Sequence, residues 1–157
     1  MPKRSGSQMK VIVIAGGGRR AGKTTLARAL REAIPSCQVI KLGTHLPRED
    51  KEEMLFPRGT PFSAVCRAAL GAKYLVIESG TILDNAELRP DLIIFLPAPE
   101  GCLDKPGSAR NRARADLIRG EAISASEARR LASQLGFDEP LFLKILDLVG
   151  VRISEPT

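Results

Sequence analysis

The chain has no tryptophan, one tyrosine (Tyr74) and one histidine (His45) in 157 residues, and its aromatic fraction is 4%. A platform that stacks the bases of single-stranded nucleic acid wants more aromatic surface than that, so nucleic acid is not the expected partner. Cysteine is sparse as well. Cys37, Cys66 and Cys102 are odd in number, far apart, and form no CxxC pair. This pattern gives neither a disulfide framework nor a zinc spacing, and it leads to the expectation of reduced thiols in a cytoplasmic protein. No apolar run approaches the ~18 residues of a membrane-spanning helix, so no membrane role is expected. Residues 1–8 are basic and polar with no apolar stretch behind them, unlike a secretory signal, and are expected to be a flexible N-terminus.

What is present suits an ordinary globular protein. Hydrophobic residues make up 43% of the chain, and 157 residues match one domain with one core. Lys plus Arg number 24 against 18 Asp plus Glu, a net charge of +6. Such a balance favours polyanionic partners, and with so few aromatics a phosphate site is the economical explanation.

The order of elements predicts a fold. Residues 10–15 form a β-branched run that reads as a buried strand. Residues 24–34 read as a helix with Leu26, Ala29, Leu30 and Ala33 on one side, ended by Pro35. A second strand is expected at 38–42, and a polar, irregular stretch at 43–59. Thr60 is expected to N-cap a helix that has Pro61 at its first position and runs to about Leu70. Further strands are expected at 74–78 and 91–96. Residues 101–114 are an arginine-rich loop with a short helix, and 116–118 make a fifth, short strand. Ser124 and Glu127 match a capping box for a helix ended by Gly136, and Asp138 caps a last helix ended by Gly150. Strands alternating with helices predict an α/β fold: a three-layer P-loop NTPase fold with a mainly parallel sheet and helices on both faces. Ligands of such sheets bind at the carboxyl ends of the strands.

Gly17, Gly18, Arg19, Arg20, Ala21, Gly22, Lys23 and Thr24 match G-x-x-x-x-G-K-[ST] at every fixed position, between a strand and a helix. The glycines let the backbone curl until several N–H groups face one anion, and the following helix adds the positive end of its dipole. Lys23 is expected on the β- and γ-phosphates of GTP or ATP, the Thr24 hydroxyl on Mg²⁺, and Thr25 near the α-phosphate. Arg19 and Arg20 fill variable positions, where solvation is favoured over contact with phosphate or a second substrate.

Glu78 ends an apolar strand in the manner of a Walker B acid, although Asp is the usual residue. It is expected either to hold the metal's water shell or to orient an attacking hydroxyl, against the alternative of a carboxylate that only caps a strand. Asp84 follows in the next loop as a lesser candidate. His45 lies just beyond the second strand, on the rim that faces the phosphates, and is a candidate catalytic group. Asp50 and Lys51 share its loop. Arg110, Arg112 and Arg114 follow the fourth expected strand, where arginines can close over a transferring phosphoryl group or simply be solvated.

Taken together, residues 17–24, Ile40-Lys41-x-x-Thr44-His45, Asp50-Lys51 and Val76-Ile77-Glu78-Ser79-Gly80 resemble the MobB family, the GTP-binding adaptor of molybdopterin guanine dinucleotide synthesis. That family has a Walker A loop, an I-K-x-T-H stretch after strand two, a D-K pair soon after, and a V-E-G motif on the Walker B strand. The resemblance spans roughly residues 10–96. This chain departs from it at Ser79, which separates Glu78 from Gly80, at Leu46, where a second histidine is common, and in the helical pair within residues 124–150. The resemblance implies GTP binding, slow hydrolysis, a homodimer and a partner nucleotidyltransferase. Three functions stay open: an NTPase adaptor in cofactor maturation; a small-molecule kinase with Glu78 or Asp84 placing the acceptor hydroxyl and the arginines as a lid; and a non-catalytic nucleotide-sensing module that binds proteins.

Overall fold

Val11, Ile12, Val13 and Ile14 leave the first apolar run no polar side to turn toward water, so it belongs inside a sheet covered on both faces. The computed structural model describes residues 9–17, 22–43, 54–57, 59–69, 71–79, 82–84, 88–99 and 107–154, and there the run is β1 (Lys10–Gly16). β1 pairs in parallel with β4 (Tyr74–Glu78) on one side and β5 (Leu92–Leu96) on the other. β2 (Cys37–Gly43) extends the sheet beyond β4, and β3 (Met54–Pro57) lies outside β2. β6 (Leu117–Ile118) lies outside β5. The order is β3-β2-β4-β1-β5-β6, and all these pairings are parallel.

Alternation along each strand divides the interior into two cores. Ile12, Ile14, Val76, Leu92, Ile94 and Leu96 face one side. They pack against α1 (Lys23–Ala33), α4 (Ala125–Leu135) and α5 (Glu139–Val149), through Leu26 and Leu30, Leu131 and Leu135, and Phe142 and Ile145. Val11, Val13, Leu75, Ile77, Ile93 and Phe95 face the other side. There they meet Val65 of α2 (Phe62–Ala68) and a single 3₁₀ turn, Ile82–Asp84. α3 (Ser108–Arg114), the crossover between β5 and β6, joins this second side, with the Arg112 guanidinium 5.9 Å above the Phe95 ring. Helices therefore cover both faces of the expected parallel sheet. Each fully buried Ile, Leu or Phe contributes about 1.5–3 kcal/mol. Among the described residues, no helix is long and apolar enough to cross a membrane.

The C-terminal helices are bounded as their sequence dictates. Ser124 Oγ accepts from the Glu127 amide at 3.1 Å, and Asp138 Oδ1 accepts from the Leu141 amide at 2.9 Å. α4 and α5 end on Gly136 and Gly150. The Glu127 carboxylate turns to Arg130 on its own helix. Tyr74 fixes α4 to the sheet: its hydroxyl donates to the Leu135 carbonyl at 2.7 Å, and its ring lies 5.0 Å from that of Phe137.

Three expectations need correction. The stretch 43–59 is not wholly irregular, because Met54–Pro57 forms β3, with Ile40 opposite Met54 and Gly43 opposite Pro57. A four-residue strand within charged and proline-containing sequence has too few residues to show a period. An edge position also tolerates the proline. Next, Thr60 is not the N-cap of α2. Pro61, extended at ψ 143°, takes that place, while the Thr60 hydroxyl donates to the Pro57 carbonyl at 2.7 Å and closes the preceding turn. The helix ends at Ala68, and Leu70 lies outside the described residues. Finally, β7 (Ala122–Ser124) and β8 (Arg152–Ser154) form a small parallel pair absent from the sequence reading. Ile123 and Ile153 face each other and pack on the first core, one apolar residue per strand, too little to stand out as alternation.

Two aspartates satisfy strand amides at the amino ends of the sheet: Asp91 Oδ2 accepts from Val11 N, and Asp116 Oδ2 from Ile93 N, both at 2.8 Å. Burial pushes the Asp116 carboxyl above the ordinary carboxylate range despite that hydrogen bond. A folded value above the unfolded one means that ionisation opposes folding, so the charge subtracts stability as pH rises through the two values. Asp116→Asn keeps an acceptor oxygen and removes the charge. Its melting temperature relative to wild type is expected to rise between pH 4 and pH 7; a flat difference across that range would remove the burial effect.

Candidate functional site

The site grows from the carboxyl ends of β1 and β4, which are direct neighbours, with Ile14 opposite Glu78. Beyond β1, the Gly17 amide donates to the Leu96 carbonyl of β5 at 2.9 Å, so the chain stays in the sheet plane for one more residue. Gly18, Arg19, Arg20 and Ala21 lie outside the described residues. The chain re-enters at Gly22 with φ 88° and ψ 20°, a left-handed conformation that a residue without Cβ adopts at little cost. Its carbonyl accepts from the Leu26 amide at 3.0 Å, which starts α1. Among the described residues no side chain caps this helix, and no acid stands in its first turn. The amino end of α1 thus keeps its positive character directed at the carboxyl edge of the sheet.

β1 and β4 leave that edge in opposite directions. β1 leads to α1 on the first face. After β4 the Ser79 amide donates to the Ile14 carbonyl at 3.1 Å, and its hydroxyl accepts from the Ile82 amide at 3.2 Å. That turn carries the chain toward the second face, where Ile82 and Leu83 are buried. Adjacent strands whose connections diverge open a crevice, which is where parallel sheets of this kind bind ligands.

Thr24 and Glu78 meet in that crevice, 54 residues apart in sequence. Thr24 Oγ1 donates to Glu78 Oε1 at 3.0 Å and lies 3.2 Å from Oε2. Glu78, the last residue of β4, is only 3% exposed. Its register partner is Lys41 of β2, with Nζ 3.7 Å from the same Oε1. Lys23 is the first residue of α1, and Thr25 the third and exposed.

The donor set fits Mg²⁺. A hydroxyl and a carboxylate oxygen are hard ligands, and adjacent positions of an Mg²⁺ octahedron are about 2.9 Å apart when the metal–oxygen distance is ~2.0–2.1 Å. The Thr24–Glu78 separation of 3.0 Å matches that edge. Among the described residues no group of three or more His, Cys, Asp or Glu side chains is gathered as a metal cage. Magnesium that is shared with a phosphate needs only one or two protein ligands.

Other candidates are placed less centrally. Arg110 and Arg114 are exposed on α3. Arg112 pairs with Glu121 and covers Phe95, which holds α3 on the sheet. Asp84 ends the 3₁₀ turn. His45, Asp50 and Lys51 lie outside the described residues. Cys37 is a free thiol that burial pushes up to about 11, and burial also raises Cys66, so both are protonated at neutral pH and are poor nucleophiles. Cys102 lies outside the described residues.

Sequence reasoning did not anticipate two residues here. One is Lys41 as the neighbour of Glu78, a relation set by strand register alone. The other is Arg119. Its Nε donates to the Val149 carbonyl at the end of α5 at 2.8 Å. A Cβ on Gly22 would stand 3.2 Å from its NH1, and a Cβ on Gly150 the same distance from its Cγ. Arg119 is thus wedged between the start of α1 and the end of α5, and no short-range pattern in the sequence signals it.

Neither the protein-family models nor the curated proteins compared with this chain give a significant match.

At Gly22 the left-handed backbone and the Arg119 guanidinium both oppose a side chain. Gly22→Ala is expected to destabilise the protein by about 1–2 kcal/mol, read as a lower urea midpoint with an unchanged slope. A midpoint equal to wild type would contradict this account of the turn.

Proposed function

We propose that the chain is a P-loop nucleoside triphosphatase. It binds GTP or ATP with Mg²⁺ around residues 17–25, hydrolyses it slowly, and serves as an adaptor in cofactor biosynthesis, similar to the MobB family. The observation that carries this reading is the hydrogen bond between Thr24 and Glu78. It sets the hydroxyl of G-x-x-x-x-G-K-[ST] beside an acid at the end of the neighbouring strand, at the spacing of two ligands on one magnesium ion. The strand order supports it too, since β1, between β4 and β5, opens its crevice where the phosphate motif begins.

In this reading the backbone amides from Gly17 to the first turn of α1 cradle the phosphates, and the Lys23 ammonium balances charge on the β- and γ-oxygens. Thr24 and Glu78 hold Mg²⁺. When bound, magnesium neutralises the charge that develops between the β- and γ-phosphates as the γ-phosphoryl group transfers. Glu78 also orients the attacking water through its carboxylate. The adaptor reading further entails a protein partner, a homodimer and a cytoplasmic setting, the last in keeping with the free thiols of Cys37 and Cys66.

Thermal unfolding across a panel of nucleotides with Mg²⁺ tests the proposal, because a ligand that binds only the folded state raises its stability by mass action. GTP or ATP should raise the melting temperature, and Lys23→Ala should lose about 1.5–3 kcal/mol of triphosphate affinity, roughly 10- to 150-fold. Full affinity in that variant would sink the assignment of Lys23. Glu78→Gln is expected to slow turnover by about 10²-fold while nucleotide still binds. Unchanged turnover would return Glu78 to a structural role. Turnover stimulated by a metabolite, and not by a protein, would move the reading to a small-molecule kinase.

A further inference from the structure

Glu78 has a second partner whose position the nucleotide reading does not use. A carboxylate only 3% exposed has given up most of its water, and a nearby positive charge offsets that loss. The Thr24 hydroxyl gives it a hydrogen bond and no charge. A positive charge is brought by Lys41, on the strand beyond β4 from β1. Val39 and Val76, a register pair two residues earlier on each strand, both face the first core, as do their partners on α1. Two residues further along, Lys41 and Glu78 therefore share the α1 side of the sheet, at its carboxyl edge.

The contact is built to be exchanged. At 3.7 Å it is an attraction between charges and lies beyond hydrogen-bond distance. The Lys41 side chain is 41% exposed, so water is ready to take its ammonium back. Its flexible four-carbon stem lets the head leave with no movement of β2. The Thr24 oxygen, against the same Oε1, is already at the spacing of a second magnesium ligand.

Resting on the nucleotide–metal reading above, we propose that Lys41 is a resident counter-cation. It positions Glu78 against Thr24 in the metal-free protein and competes with the divalent ion for that carboxylate. Metal entry then releases the ammonium toward solvent on the β2 side of the crevice. Lys41 is a positioning residue that acts through Glu78. It makes metal loading an exchange of one cation for another, so Glu78 is never buried without a positive neighbour.

Titration of the metal-free protein, saturated with a non-hydrolysable GTP or ATP analogue, with Mn²⁺, following free Mn²⁺ by electron paramagnetic resonance and subtracting binding to the analogue alone, tests the competition. Lys41→Met is expected to tighten Mn²⁺ binding on the order of fivefold, by removal of the cation that competes with the metal for the Glu78 carboxylate. Lys41→Arg should return it to near the wild-type value. In a Glu78→Gln background, Lys41→Met should have no effect. A merely structural role for Lys41 would lower the melting temperature and leave Mn²⁺ affinity unchanged or weakened, and that result overturns the proposal. Thr24→Ala reports separately on the underlying reading. If it binds Mn²⁺ as wild type does, or if wild type binds none, the metal site itself is misplaced. If Thr24→Ala weakens binding and Lys41→Met leaves it unchanged, only the role of Lys41 fails.

Discussion

The parallel pairing of β1 with both β4 and β5 is the constraint on which the molecule depends. It buries β1 on both faces, which its β-branched sequence requires. It also sets Glu78 level with Ile14, on the strand that precedes α1. A slip by one residue would turn the side chains of β4 to opposite faces and carry Glu78 to the α2 side of the sheet. The two cores resist such a slip, because Val76 belongs to one and Leu75 and Ile77 to the other. Packing far from the crevice thus decides which functional groups can meet within it.

The crevice is assembled from parts that are individually ordinary. A short glycine turn starts α1, a strand ends on an acid, and a neighbouring strand contributes a lysine at the matching register position. Their chemistry lies in the combination: a buried carboxylate with both a hydroxyl and an ammonium beside it. The amino end of α1 beside it, with no acid of its own in the first turn, supplies directed N–H groups.

Much of the layout was legible in the sequence where the signal is local and dense. The central strands announced themselves as unbroken apolar runs, and Ser124, Gly136, Asp138 and Gly150 marked the ends of α4 and α5 through cap chemistry that needs only a few neighbouring residues. Thr24 and Glu78 were legible as types, one from the phosphate motif and one from its place at a strand end. Their meeting depends on strand order, which no local pattern carries. Short elements escaped for a different reason. β3, β7 and β8 have three or four residues each and are held by register with a neighbour, so their own sequence shows no period. Thr60 misled because a hydroxyl before proline serves equally well to close a turn or to cap a helix. The partners of Lys41 and Arg119 are long-range and have no signature along the chain.

Arg119 ties the last third of the chain to the beginning of the first helix. Its Nε is held by the carbonyl end of α5, while its NH1 stands over the turn that opens α1. The negative pole of one helix thus steadies a cation next to the positive pole of another. Residues near the C-terminus thereby become part of the mechanical support of a turn more than a hundred positions earlier. Clipping or repacking α5 would be felt as a loosened turn at the start of α1.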